Sequence, residues 1–137
     1  MKMDSSAFVA DEKLIRALQP YASPIACGQD RILFNQGDAP TGVYIVHSGE
    51  VILTMRSPLG DVVMSMPAAN HSLLGVPGLI GSVGYSLSAF AKSGAEVSFV
   101  PRDDFFRLML AEPSISMMIL QVLAAEVRTA RLALVEM

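Results

Sequence analysis

The stretch ILFNQGDAPTGVYIVHSGEV, residues 32–51, alternates short apolar runs with turn residues. Its turns, NQGD (35–38) and HSGE (47–50), each place a glycine between two runs rich in Ile, Val, Phe or Tyr. β-Branched and aromatic residues favour strands, and Gly beside Asn, Asp or Ser is typical of turns. The stretch therefore predicts successive short strands joined by tight turns.

The same pattern extends from about residue 23 to residue 100. SPLGD (57–61) separates two of the runs and predicts a hairpin between EVILTMR and DVVMSMP. Several short strands at close spacing indicate a mainly β fold, a sandwich or barrel rather than a series of βαβ units. The predicted strand runs are SPIAC, RILFN, GVYIVHS, EVILTMR, DVVMSMP, SLSAFAK and AEVSFV.

Helical periodicity flanks the β region on both sides. In the N-terminal segment 1–22, DEKLIRALQ (11–19) places its apolar residues on one helical face and two carboxylates in the first turn. At Pro101 the helical period returns, with Asp103 and Asp104 near the helix start, and Pro113 begins another helix. We therefore predict that the C-terminal region 101–137 is helical.

The helix predicted over residues 113–137 is unusually apolar. From Ile115 to Val127 every residue is apolar except Ser116, Gln121 and Glu126, so this helix must be buried on more than one side. Either its own domain covers it, or a second helix does. Two rows have the three-four spacing of a helix-pair seam: Ile115, Met118, Val122 and Ala125 form one, and Leu120, Ala124, Val127, Arg131 and Leu134 form the other. The residues predicted for a dimer interface are Ile115, Met118, Ile119, Val122, Leu123, Ala125 and Val127.

Composition narrows the classes of function. The 137 residues carry a net charge of -3 and their ten Lys and Arg are scattered, so this chain alone is not expected to bind nucleic acid. The single cysteine, Cys27, excludes an internal disulfide, a Cys-rich zinc site and a Cys-ligated iron–sulfur cluster. The sequence shows neither a signal peptide nor a stretch of membrane-spanning length, and we expect a soluble cytoplasmic protein.

The order of these features resembles the cyclic nucleotide-binding domain family, in particular the effector-sensing half of Crp/Fnr-type bacterial transcription regulators. The resemblance implies a β-roll, a double-stranded β-helix similar to a jelly roll, as a sensor domain over residues 23–100. It also implies that the helix over 113–137 is a dimerisation helix. The residues that carry the resemblance are ILFNQGDAPTGVYIVHSGEV (32–51), with Gly37 and Gly49 in its turns, LLGVPGLIGSVGYSLSA (73–89) and AEVSFVPRDDFFRLM (95–109).

The resemblance gives the loop 73–89 the position of the family's phosphate-binding cassette. Such a loop holds a phosphate with backbone N–H groups, an arginine that neutralises it and a glutamate that accepts from the ribose hydroxyl. Here Val76 stands at the glutamate position and Tyr85 at the arginine position, and no Lys or Arg occurs between Arg56 and Lys92. We therefore predict that the chain does not bind cAMP or cGMP. The candidate ligand-binding residues of the loop are Gly75, Val76, Pro77, Gly78, Leu79, Tyr85 and Ser86.

The sequence predicts neither a catalytic nor a metal site. His47 and His71 lack the spacing of a cupin metal site, and we expect a turn residue at His47 and a surface loop residue at His71. No G-x-S-x-G elbow or paired-carboxylate site is present, so enzyme activity is not expected. We expect no cofactor. The alternatives are haem, with His71 near Met64 and Met66 as an axial ligand, and a small apolar effector in a methionine-rich roll.

The main functional hypothesis is a non-catalytic sensor and dimerisation domain of a Crp/Fnr-type regulator. It would form a homodimer through the C-terminal helix, and it would bind DNA only if a helix-turn-helix domain follows in the intact protein. The alternative is a stand-alone interaction module that binds no small molecule and heterodimerises through the same helix. No membrane association is expected.

Overall fold

The computed structural model describes residues 5–135, with side chains described as far as Val127. Two antiparallel sheets form most of this region, with helices at both ends of the chain. The strands are β1 (Ser23–Ile25), β2 (Arg31–Phe34), β3 (Gly42–Ser48), β4 (Val51–Arg56), β5 (Val62–Pro67), β6 (Ser72–Leu74), β7 (Ser88–Ala91) and β8 (Glu96–Pro101). The helices are α1 (Glu12–Leu18), α2 (Val76–Gly81), α3 (Arg102–Ala111) and α4 (Pro113–Val135), and short 3₁₀ turns cover Ser5–Phe8 and Gln19–Tyr21.

The strands pair in the order β1-β8-β3-β6 in one sheet and β2-β7-β4-β5 in the other. The hairpin predicted at SPLGD is confirmed, because β4 and β5 pair with Leu53 opposite Met66 and Met55 opposite Met64. Apart from the β4–β5 hairpin, consecutive strands thus alternate between two facing sheets, which is the arrangement of a roll. The prediction of a mainly β fold with flanking helices is confirmed.

Strand β3 separates two cores. Its residues Tyr44 and Val46 face the space between the sheets, whereas Val43 and Ile45 face the helices. A strand that is covered on both faces needs a continuous apolar run, and GVYIVHS supplies one. The roll interior and the helix-covered face of the first sheet are therefore packed independently.

The helix boundaries follow from local sequence signals. Asp11 is the N-cap of α1 and accepts a hydrogen bond of 2.8 Å from the Lys13 N–H. Helix α3 begins directly after Pro101, with Asp103 and Asp104 in its first turn. Pro113 then begins α4, as predicted.

Helix α4 is buried on one side only. Three residues of the predicted dimer interface lie in the chain's own core with Leu108 of α3: Ile115, Ile119 and Val122. Because these side chains are not available at the surface, the predicted interface is narrower than the sequence indicated. This side of α4 contacts the N-terminal segment and α3. The sequence pattern did not predict these contacts. Of the other predicted interface residues, Met118 and Leu123 are half-buried and Ala125 and Val127 are exposed. Arg131 and Leu134 lie outside the described side chains.

Within residues 5–135 no single helix is both long enough and apolar enough to cross a membrane. Helices α3 and α4 reach that length and composition only as a pair that is bent by 118°.

Candidate functional site: the glycine-rich loop

The glycine-rich loop connects β6 to β7 through the short helix α2. Gly75 leaves β6 with φ of 96°, a left-handed conformation that glycine adopts without strain. Pro77 follows in the first turn of α2, where its missing N–H has no helical partner to lose. The helix ends at Gly81, and the C-cap residue Ser82 is also left-handed and directs its N–H to the carbonyls of Gly78 and Leu79. The loop thus has the helical form that a cassette requires.

The face of α2 turned toward the protein is fully apolar. Val76 and Leu79 have almost no exposed surface and pack in the core beneath the helices. Val76, which the resemblance places at the family's glutamate position, therefore points into the core.

Tyr85 follows α2 and lies inside the roll. Its side chain is 3% exposed, and its ring packs on Phe34 with the ring centroids 4.2 Å apart. The hydroxyl donates to the Gly42 carbonyl at 2.8 Å and accepts from the Thr41 N–H at 3.1 Å. Tyr85, which the resemblance places at the family's arginine position, thus has both hydrogen-bonding roles of its hydroxyl occupied within the chain.

Backbone contacts fasten this part of the loop to the turn between β2 and β3. The Gly37 N–H donates to the Tyr85 carbonyl at 2.8 Å, and the Tyr85 N–H donates to the Asp38 carbonyl at 3.0 Å. A Cβ atom on Gly84 would lie only 2.6 Å from the Gly37 carbonyl oxygen, and one on Gly75 only 2.9 Å from the Tyr85 ring. These glycines are therefore needed for close packing inside the chain.

The roll interior next to Tyr85 is filled by side chains. Phe34 also contacts Tyr44 at 5.1 Å between ring centroids, and Tyr44 contacts Phe99 at 5.0 Å. These rings belong to or pack against a cluster of buried side chains. The cluster includes Phe34, Tyr44, Leu53, Leu74, Leu87 and Ala89.

Burial raises the pKa of the Tyr44 hydroxyl and the neighbouring Tyr85 raises it further, whereas the charge of Arg31 lowers it. That hydroxyl donates to the Leu33 carbonyl at 3.2 Å. Ser86, the last predicted loop residue, is exposed, and Ser88 accepts the Gln36 N–H at 2.8 Å. The structure therefore packs Gly75 and Gly78 against Tyr85 beside the roll interior, places Val76 and Leu79 in the helix-covered core and leaves Ser86 outside.

The two histidines lie apart from this loop. The prediction that His47 is a turn residue is wrong, because it belongs to β3 and its Nε2 lies 2.8 Å from the Ser98 Oγ. His71 is an exposed loop residue, as predicted, with an unusual φ of 68°. Among the described residues, no group of three or more His, Cys, Asp or Glu is placed to hold a metal ion.

Glu126 is a buried carboxyl that the sequence analysis did not single out. Its residue is 8% exposed, and its Oε1 has no hydrogen-bond partner among the described residues. Burial raises the pKa of this carboxyl to about 8. The available signal was its position as the only charged residue between Pro113 and Val127.

Two facing sheets, a glycine-rich helical loop and a long C-terminal helix define the class of β-roll sensor domains. The chain belongs to the cyclic nucleotide-binding domain family, whose sequence model matches residues 26–112. Members of this family are regulatory domains. No curated protein matches the chain significantly.

Solved structures of regulators share the fold. The chain is 25% identical to the catabolite activator protein of Thermus thermophilus, with a TM-score of 0.75 over 90% of this chain and 58% of that chain. It is 21% identical to the N-terminal domain of a transcriptional regulator from Streptomyces coelicolor, with a TM-score of 0.65 over 90% of this chain and 87% of that one. A cyclic nucleotide-binding-like protein from Brucella abortus is 26% identical, with a TM-score of 0.57 over 71% of this chain and 83% of that one. The chain thus spans little more than half the length of the Thermus protein.

Proposed function

We propose that this chain is a non-catalytic sensor-type domain of a Crp/Fnr-type regulator that does not bind cAMP or cGMP. The observation that carries the proposal is the position of Tyr85. Its ring occupies the roll interior, and its hydroxyl is committed to Gly42 and Thr41. The residue that would meet a phosphate is thus already partnered within the chain.

Electrostatics support the same conclusion. A buried phosphodiester is costly without a counter-charge, and residues 57–91 contain no Lys or Arg. Val76 offers no acceptor for a ribose hydroxyl. Nucleotide binding would also require Tyr85 to leave a site where it packs on Phe34.

Calorimetric titration with cAMP and with cGMP tests this proposal. We expect no binding heat at ligand concentrations up to about 1 mM, which corresponds to a binding free energy weaker than about -4 kcal/mol. A cyclic nucleotide-binding protein titrated in the same buffer is the positive control. Micromolar binding of either nucleotide would overturn the proposal.

We also propose that the chain forms a homodimer through the outer face of α4. Leu120 and Val127 are 55% and 50% exposed, and Ala124 between them is exposed as well. This row has the three-four spacing of a helix seam, and no charged residue interrupts the exposed face between Pro113 and Val127. A helix that is apolar on the side facing solvent favours a partner.

Sedimentation of the wild-type chain and of Leu120→Asp tests the pairing. We expect a wild-type dimer, and we expect the variant to be a monomer at the same concentration, because a carboxylate in the seam would be buried without a partner. Leu59→Asp, which changes an equally apolar residue at the β4–β5 turn, is the matched control and should remain dimeric. A monomeric wild-type chain at high concentration would overturn the homodimer and favour the stand-alone interaction module.

DNA binding is proposed only for an intact regulator. The chain itself has a net charge of -3, and a reader of DNA phosphates needs clustered Lys and Arg. In a longer protein the dimer of this domain would place two helix-turn-helix units about one two-fold axis.

A further inference from the structure

Three methionines of the β4–β5 hairpin face the interior of the roll. Met64 is 4% exposed and belongs to the buried cluster between the sheets. Met55 and Met66 are half-buried and pack against the same cluster. Between residues 5 and 108 these are the only methionines of the chain. The hairpin therefore concentrates thioether groups on one face of one sheet.

The strand register places the three side chains beside one another. Met55 lies directly opposite Met64, and Met66 lies opposite Leu53. Side chains that are opposite each other on one face have Cβ atoms about 4.5–5.5 Å apart, and diagonal neighbours such as Met55 and Met66 are about 7–8 Å apart. Met64 and Met66 are two positions apart on β5, or about 7 Å. The three Cβ atoms thus form a compact triangle.

Methionine is suited to bring its donor atom to the middle of such a triangle. The sulfur lies two bonds beyond Cβ, and the unbranched side chain has three rotatable bonds. Val51 and Leu53 of the same strand fill the roll interior as well, but they carry no donor. Three thioether sulfurs can therefore converge on one point without a change in the backbone.

The hairpin leaves this point open to solvent and free of opposing charge. Met55 and Met66 keep part of their surface exposed, so an ion can reach the sulfurs from outside the roll. Arg56, the only Lys or Arg of the hairpin, follows Met55 and so belongs to the opposite face of β4. Its guanidinium donates to the Gly60 carbonyl at 2.8 Å. The hairpin therefore places no positive charge on the face that carries the sulfurs.

The donor set determines which kind of ion would bind. Thioether sulfur is a neutral, soft ligand, and soft ligands of this kind select Cu(I). Ca²⁺ and Mg²⁺ take oxygen ligands, and Zn²⁺ takes thiolate, imidazole or carboxylate, so three thioethers do not suit these ions. The hairpin methionines thus match a soft monovalent cation.

We propose that Met55, Met64 and Met66 bind one cation of the Cu(I) class at the hairpin end of the roll. The bound ion links β4 to β5. The site goes beyond the function proposed above and is independent of the glycine-rich loop, because neither Val76 nor Tyr85 is a ligand.

Anaerobic competition for Cu(I) with a chromophoric chelator tests the site. The titrations use the chain with Cys27→Ala, because the Cys27 thiol is itself a soft ligand and belongs to the same buried cluster. We expect one Cu(I) per chain. Met64→Leu conserves the volume of the side chain and removes the sulfur, and it should raise the dissociation constant at least about tenfold.

Met117→Leu is the matched control, since this methionine is 57% exposed on α4 and lies outside the hairpin. It should leave the dissociation constant unchanged. A chain that takes no Cu(I) from the chelator would overturn the site. Equal dissociation constants with and without Met64→Leu would overturn it as well.

Methyl NMR provides a second measurement that needs no substitution. In the wild-type chain, isotopically labelled at the methionine methyl groups, Ag(I) serves as a redox-stable ion of the same soft class. It should shift the signals of Met55, Met64 and Met66 and leave those of Met109 and Met117 in place. Shifts confined to the helix methionines would overturn the site. Shifts of the three hairpin signals by benzene, but not by Ag(I), would overturn it in favour of a small apolar effector.

Discussion

The glycine-rich loop and α4 depart from expectation in opposite directions. In the loop, Val76 and Tyr85, which the resemblance places at the family's charged positions, are both buried. In α4, the positions that face solvent are mostly apolar, with Ser114 and Gln121 as polar exceptions, while the one charged residue between Pro113 and Val127, Glu126, is buried. The side chains of the loop are packed and hydrogen-bonded within the chain, whereas the outer face of α4 is not covered by any of the described residues.

The difference lies in whether hydrogen bonds and apolar contacts are satisfied within the chain, as they are around Tyr85, or left open, as on the outer face of α4. The polar atoms of Tyr85 are all paired at distances from 2.8 to 3.1 Å. The exposed side of α4 offers mostly apolar area, which is what association with another apolar surface uses. Under the proposed function, recognition in this domain therefore rests with the helix and not with the roll interior.

We expect the largest effect from removal of the Tyr85 side chain, which tests whether this residue fills the roll interior. We expect Tyr85→Ala to lower the free energy of unfolding by about 3–5 kcal/mol, because it leaves a cavity beside Phe34 and unpairs Gly42 and Thr41. Urea denaturation followed by circular dichroism measures this loss. p-Cresol, which reproduces the missing side chain, should raise the melting temperature of the variant and not that of the wild type.

Tyr85→Phe is the matched control, since it keeps the ring and removes the hydroxyl. We expect a loss of about 1–2 kcal/mol, because the Gly42 carbonyl and the Thr41 N–H lose one partner each. An alanine variant as stable as the wild type would show that Tyr85 does not fill the roll, and the argument against nucleotide binding would lose its basis.

Much of the fold was predictable because its signals are local. The turn at SPLGD, the helix predicted over 11–19 and the helix starts after Pro101 and at Pro113 are each determined by a few neighbouring residues. The assignment of Val76 and Tyr85 to the family's charged positions needed only the residue identities, and it stays a prediction. No local signal gives the direction of a side chain after a glycine, so the placement of Tyr85 on Phe34 was not predictable.

The burial pattern of α4 could not be predicted from the sequence, for a different reason. When nearly every residue of a helix is apolar, its periodicity no longer distinguishes the side that faces the core. Ile115 and Val122 were therefore assigned to a dimer interface, although they pack within the chain. The same uniformity obscured Glu126, which interrupts the run on its buried side.

Replacing Glu126 should change the free energy of unfolding less than removal of Tyr85 does. The pH dependence of this change tests whether the inner side of α4 is buried. The pKa of this carboxyl is about 8 in the folded chain and near 4.5 in the unfolded chain, so between these values the folded state holds a proton that the unfolded state has lost. The stability of the wild type should therefore fall as pH rises from about 4.5 to about 8. Glu126→Met removes this slope, because an unbranched apolar side chain fills the same space.

We expect Glu126→Met to stabilise the chain most at pH 8 and above and least below pH 4.5. At about 1.4 kcal/mol for each pKa unit, the gain should reach a few kcal/mol. Denaturation at pH 5, 6.5 and 8 measures it, with Glu112→Gln as the control at an exposed carboxyl of the α3–α4 junction. An equal effect at all three pH values would show that Glu126 is ionised in the folded state. The inner side of α4 would then be hydrated, and its apolar outer face would no longer distinguish it from an ordinary surface helix.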